Sequence, residues 1–154
     1  AGLVLRKQAW TETIPENLIL VGRINGDMIG GEDLEMMSYM QQSSWEIWYN
    51  PAMHVVHKIP ESRLQRPYLL SFFRGVGLSR HVTRMLSVKP WQRPLMFVAY
   101  LVNDLRKILR HYQTYGGAAI EESLVLKCEL ELFRYSLLSP FYLWRHGYLK
   151  KSNS

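Results

Sequence analysis

The segment from Pro94 to Tyr112, "PLMFVAYLVNDLRKILRHY", constrains the chain more than any other. Leu95, Val98, Leu101, Val102, Leu105 and Leu109 recur at three- and four-residue spacing, the period that places side chains on one face of an α-helix. Pro94 suits the first turn of such a helix, where its absent N–H is no loss. The stretch before it, "VKPWQRP", is a proline-punctuated connection, and "TYGGAA" after it breaks the pattern. A last helix is predicted from about Ile120 to Leu138, with Leu124, Cys128, Glu131 and Tyr135 along it. Upstream, Arg63 to about Arg84 is also helical in pattern, interrupted by Gly75 and Gly77. Those glycines, in "RGVGLSR", lack the preceding strand of a phosphate-cradling turn, so close helix packing or a helix break is the better reading. Residues 63–154 are therefore expected to be a helical region, polar and basic beyond Trp144.

Residues 1–62 read differently. "GLVL" suggests a short buried strand, and Lys7 onward a helix ending near Leu18. "NGD" at 25–27 signals a turn. From Glu32 to about Gln42, Leu34, Met37 and Met40 repeat every third residue while Met36 and Tyr39 widen the stripe, which predicts an amphipathic helix. "WEIWYN" reads as a strand, Asn50-Pro51 as a turn, and "AMHVVHKIP" as a second extended run rich in valine. The expected layout is a small α/β piece followed by a helical tail.

Composition narrows the classes. With 154 residues the chain can bury one real core but not two large ones, and 47% hydrophobic against 21% charged residues excludes a disordered chain. A net charge of +6 favours an anionic partner: nucleotide, phosphate, nucleic acid or lipid headgroup. Cys128 is the only cysteine, so no internal disulfide exists and a reducing compartment fits. The longest apolar run, "PLMFVAYLV", is about half of the roughly 20 residues that span a bilayer. "AGLVLRKQAW" has no signal-peptide pattern and reads as a strand entered in mid-domain, so the chain is expected to be a fragment of a longer protein.

The chemistry centres on "GGEDLEMMSYM", where Glu32 and Asp33 follow a glycine pair at the mouth of a helix. Acids in a first helical turn commonly offset the positive end of the helix dipole, worth about 0.3–1 kcal/mol each. The neighbours add a second reading. In "WEIWYNPAMHVVHKIPESR", alternation along an extended run puts His57 and His54 on opposite faces, and Lys58 and Arg63 supply positive charge just beyond. A carboxylate, a histidine and an arginine sharing one pocket could deprotonate an alcohol and hold a diphosphate.

Together, "AGLVLRKQAW", "GR", "GGEDLEM" and "WEIWYNPAMHVVHKIPESR" resemble the second half of a family-two glycosyltransferase with the GT-A fold. The motifs cover about residues 1–80, and the tail "RPLMFVAYLVNDLRKILR" is similar to that of the hormogonium-polysaccharide type of cyanobacterial glycosyltransferase. The resemblance implies an α/β fold: a partial GT-A domain over residues 1–62 that lacks its N-terminal half, then the helical region 63–154. It implies inverting transfer of a sugar from a nucleotide-sugar donor to a glycan or lipid-linked acceptor in polysaccharide biosynthesis. Asp33 would be the catalytic base, with Glu32 beside it touching the acceptor or orienting the helix mouth. His57 would lie by the leaving diphosphate or its metal, and Arg63 would neutralise developing phosphate charge. A divalent metal, Mg or Mn, is implied too, held mostly by the nucleotide-binding half. That half has a metal-binding D-x-D, and no D-x-D occurs in this sequence, so the chain alone is expected to be inactive.

Other features weigh less. His54, His81, His111 and His146 show no H-x-x-x-H spacing and read as surface or core histidines. Cys128 falls on an apolar face, as a small buried residue would. Bases and aromatics interleave in the tail, from Trp91 and Arg93 through Arg106, Lys107 and Arg110 to Trp144 and Lys151. Two uses fit: packing on the rest of the protein, or peripheral contact with the inner face of the plasma membrane by a cytoplasmic protein. The rival from another class is a basic helical module for nucleic acid or anionic membrane. Against nucleic acid, the bases are scattered and no recognition-helix or RNA-binding motif is visible.

Overall fold

Five α-helices make up the regular structure in the computed structural model, which describes residues 3–20 and 28–148. They are α1 (Lys7–Thr13), α2 (Glu32–Gln41), α3 (Arg66–Leu86), α4 (Arg93–Glu122) and α5 (Leu124–Arg145). Short 3₁₀ turns at Glu61–Leu64 and Pro90–Gln92 precede α3 and α4. No strand is found among the described residues, so the expected α/β fold of GT-A type is replaced by an all-helical one.

The strand expectation failed at three places. Leu3 to Leu5 of "GLVL", the run "WEIWYN" and the run "AMHVVHKIP" carry no ladder. Residues 46–60 are exposed throughout, Val56 at 87% and Trp48 at 82%. Their valines, isoleucines and aromatics favour a pleated surface only where a neighbouring strand or layer covers them. Here the side chains face water, and the segment stays irregular and unpaired, with the expected turn after Asn50 closed by the Met53 N–H on the Asn50 carbonyl. The turn expected at 25–27 lies outside the described residues.

Helix ends follow local rules. α1 stops five residues short of Leu18, because Pro15 pushes Ile14 out of the helical region to φ −91°, ψ 124°. Pro67 and Pro94 sit in the first turns of α3 and α4. α3 is continuous through Gly75 and Gly77. The break read from "TYGGAA" is real: Gly116 adopts φ 73°, ψ 158°, so α4 is two helical pieces joined at that residue. α5 then starts where the Ser123 side chain accepts from the Leu126 N–H, and it runs on through Pro140 to Arg145.

α3, α4 and α5 form the body. Contacts pair Arg74 with Glu131 and Leu78 with Ser139, so α3 and α5 run parallel. His111 meets Leu126 while Asp104 lies in one hollow with Ser136 and Pro140, so α4 runs antiparallel to α5. Gly77 makes the closest approach. A Cβ there would lie 2.8 Å from the Tyr135 Cβ and 2.9 Å from the Leu132 carbonyl oxygen. Gly75 does the same on the other side of α3, where a Cβ would fall 1.8 Å from the carbonyl oxygen of Met28. Ile19, Leu20, Ile29, Leu78, Val82 and Leu143 make the core between these layers.

Polar groups inside the body are paired. The Asp104 carboxylate, 1% exposed, receives both terminal nitrogens of Arg84, one at 2.8 Å, and the Arg84 guanidinium lies 4.8 Å above the Tyr100 ring. Glu131 receives Arg74, and Ser139 donates to the Leu78 carbonyl. No buried side-chain nitrogen or oxygen among the described residues lacks a partner. Cys128 is buried as read, and burial pushes its thiol pKa up.

Candidate functional site

α2 begins at Gly31, whose φ of 118° lies where glycine is at home and other residues are strained. No side chain caps the helix, and its first turn holds three carboxylates: Glu32, Asp33 and Glu35. All three oppose the positive helix end, yet their surroundings divide them.

Glu35 is buried. One carboxylate oxygen accepts from the Ile19 N–H at 2.9 Å and the other from the Leu20 N–H at 2.7 Å. A buried carboxylate is costly unless hydrogen-bonded, and these two donors meet that need. The clip fixes α2 against the segment that carries two core residues. One turn on, the Tyr39 hydroxyl has its pKa raised by burial first and by Glu35 second. The three-residue spacing picks out Leu34, which is more than half exposed, rather than Glu35. A charged residue inside an apolar stripe, flanked by Leu34 and Met36, was the available signal.

Asp33 stands in the open. One of its oxygens accepts from the Leu34 N–H at 3.0 Å; the carboxylate has no ion pair among the described residues. Glu32 beside it is exposed and likewise unengaged among the described residues. His57 is exposed on the irregular run, and Arg63 is exposed in the 3₁₀ turn before α3. No described residue bonds the side chain of His57 or Arg63. The structure thus brings Glu32 and Asp33 together, while no contact among the described residues ties them to His57 or Arg63.

Two hollows flank α2. One, of about 430 Å³, lies between α1, α2 and residues 44–48, with Ala9, Met37, Met40 and Trp45 in its wall. The other, of about 530 Å³, lies between α2, α3 and the start of α4 and includes Tyr39, Gln42, His81, Arg93 and Phe97. Neither is lined by Glu32, Asp33, His57 or Arg63. In the second hollow, burial and then the nearby Arg84 hold the His81 pKa below its usual value. Its ring therefore favours the neutral form. Its contribution to stability is therefore intact above the unfolded pKa of about 6.5 and is lost as pH falls from there through the lower folded value.

No three His, Cys, Asp or Glu side chains among the described residues converge where a metal ion could sit. His57 alone does not make a metal site; a metal beside it needs ligands from elsewhere. His111 is buried, with Nε2 3.0 Å from the Leu126 carbonyl oxygen, which makes it the core member of the surface-or-core reading. No helix among the described residues is long and apolar enough to cross a membrane. Comparison of the chain with protein-family models, with curated proteins and with solved structures finds no match.

Proposed function

We propose that this chain carries the acceptor-side residues of an inverting glycosyltransferase. The observation that supports it is the contrast within one helical turn. Glu35 is committed to holding α2 in place, while Asp33, two residues earlier, is exposed and free of any cation among the described residues. A base needs an accessible carboxylate on a fixed support. The motif likeness around "GGEDLEM" and "WEIWYNPAMHVVHKIPESR" gives the reaction its type.

In this reading an acceptor hydroxyl gives its proton to Asp33 as its oxygen attacks the anomeric carbon of a nucleotide sugar. The bond from that carbon to the diphosphate oxygen breaks on the opposite face, and the electron pair leaves with the nucleoside diphosphate. Arg63 meets the growing negative charge, with His57 beside it, and Glu32 orients the acceptor. The nucleotide and its divalent metal are held by residues outside these 154, because the sequence contains no D-x-D. The acceptor is a glycan or a lipid-linked glycan, and the enzyme works in the cytoplasm.

The test uses the longer enzyme that contains this chain. Asp33→Asn is expected to lower sugar transfer by about 10²–10⁴-fold, the usual worth of a general base. Donor binding, measured separately by calorimetry, should stay within twofold. Normal turnover in that variant would remove Asp33 from the mechanism. Tight binding of random oligonucleotides by an enzyme that neither transfers nor hydrolyses a sugar nucleotide would favour the nucleic-acid module instead.

A further inference from the structure

Apart from Leu101, which lines the hollow with Arg84 and Asp104, the apolar stripe that dominates the sequence does not face the core. Leu95, Val98, Val102, Leu105, Leu109 and Tyr112 are all exposed on α4, Leu95 at 74% and Val102 at 61%. α4 turns a different face to its neighbours: Phe97 meets His81, Asp104 meets Arg84, and His111 meets Phe133. The outward residues follow one another by three and four positions along about 26 Å of helix. A contiguous apolar strip of that length on a folded surface marks something that it rests against.

Charge decides what that is. Arg106 and Arg110 border one edge of the strip, exposed and without an ion pair among the described residues. Between Arg93 and Ile120 the sequence has a single carboxylate, Asp104, and it is buried and held by Arg84. Up to the kink at Gly116, the outer face of α4 therefore shows apolar surface and positive charge with no negative charge. A second copy of the same helix would set arginine against arginine or leucine, with no acid to receive it. A lipid surface with anionic headgroups supplies both complements, an apolar layer for the strip and phosphates for the arginines. Trp91, exposed in the turn that leads into α4, is a residue type that settles at such interfaces. No helix among the described residues is long and apolar enough to cross a bilayer, so a membrane contact by α4 would run along the surface.

We propose that the outer face of α4 is a docking surface for an anionic membrane, with α4 lying in the headgroup plane. The inference is independent of sugar transfer and would hold for any function of the chain.

Co-sedimentation with lipid vesicles tests it. At low salt the chain is expected to partition onto vesicles of phosphatidylcholine with one-third phosphatidylglycerol. The double substitution Val102→Asp/Leu105→Asp should weaken that partitioning at least tenfold while circular dichroism stays helical, since both residues are already in water. Arg106→Gln/Arg110→Gln should remove the preference for anionic over pure phosphatidylcholine vesicles, at about fivefold per arginine. Failure of the wild-type chain to bind anionic vesicles overturns the proposal. So does a lipid-free dimer that Val102→Asp/Leu105→Asp converts to monomer, which would give this face to a second copy. Binding of a random oligonucleotide that only the arginine variant loses, with no vesicle binding, would give it to nucleic acid.

Discussion

The bundle of α3, α4 and α5 and the irregular run at 46–60 share a chain and a comparable supply of apolar residues, yet they reach opposite ends of order. In the bundle no buried side-chain nitrogen or oxygen among the described residues lacks a partner, and a helix pair meets at a glycine with no room for a methyl group. In the irregular run, valines, isoleucines and aromatics stand in water with no ladder. The difference lies in where the hydrogen bonds go. A helix satisfies its own backbone and needs only a face to bury, whereas a strand needs a second strand before its side chains count for anything.

The largest test of that contrast is Asp104→Ala. It leaves the Arg84 guanidinium mostly buried without its carboxylate and is expected to cost about 3–5 kcal/mol, read as a lowered urea midpoint. Replacing both partners with well-packed apolar residues should recover much of the loss. A smaller effect is expected from Gly77→Ala, about 1–3 kcal/mol, because the new Cβ must push α3 away from Tyr135 and the Leu132 carbonyl. The smallest belongs to the other region. Val56→Thr and Trp48→Ser should each change stability by less than about 0.5 kcal/mol, within the range of ordinary surface changes. A loss above 1 kcal/mol at either position would show that the irregular run is covered after all.

The helices of the second half were legible because their signals are local: Pro67 and Pro94 in first turns, the glycine pair after Tyr115, and the three-and-four spacing. That spacing gave the helix but not the side on which it is buried. The spacing groups Leu95 and Leu109 on one face, and only the contacts of Phe97, Asp104 and His111 show that the opposite face turns inward. The strands misled for a related reason. "AMHVVHKIP" has strand composition, and composition says nothing about whether a partner is present. At the candidate site, Glu32 and Asp33 were visible as acids at a helix mouth. Glu35 was not, because its role depends on two backbone N–H groups some fifteen residues upstream.

Gly75 ties these regions together. The Met28 carbonyl rests in the space its missing side chain leaves on α3, three residues before the left-handed turn that opens α2. The bundle therefore acts as a second datum for the acid at position 33, beside the clip that Glu35 makes to the Ile19 and Leu20 N–H groups. A single methyl group added to this notch would move the carboxylate while changing no reactive group at all.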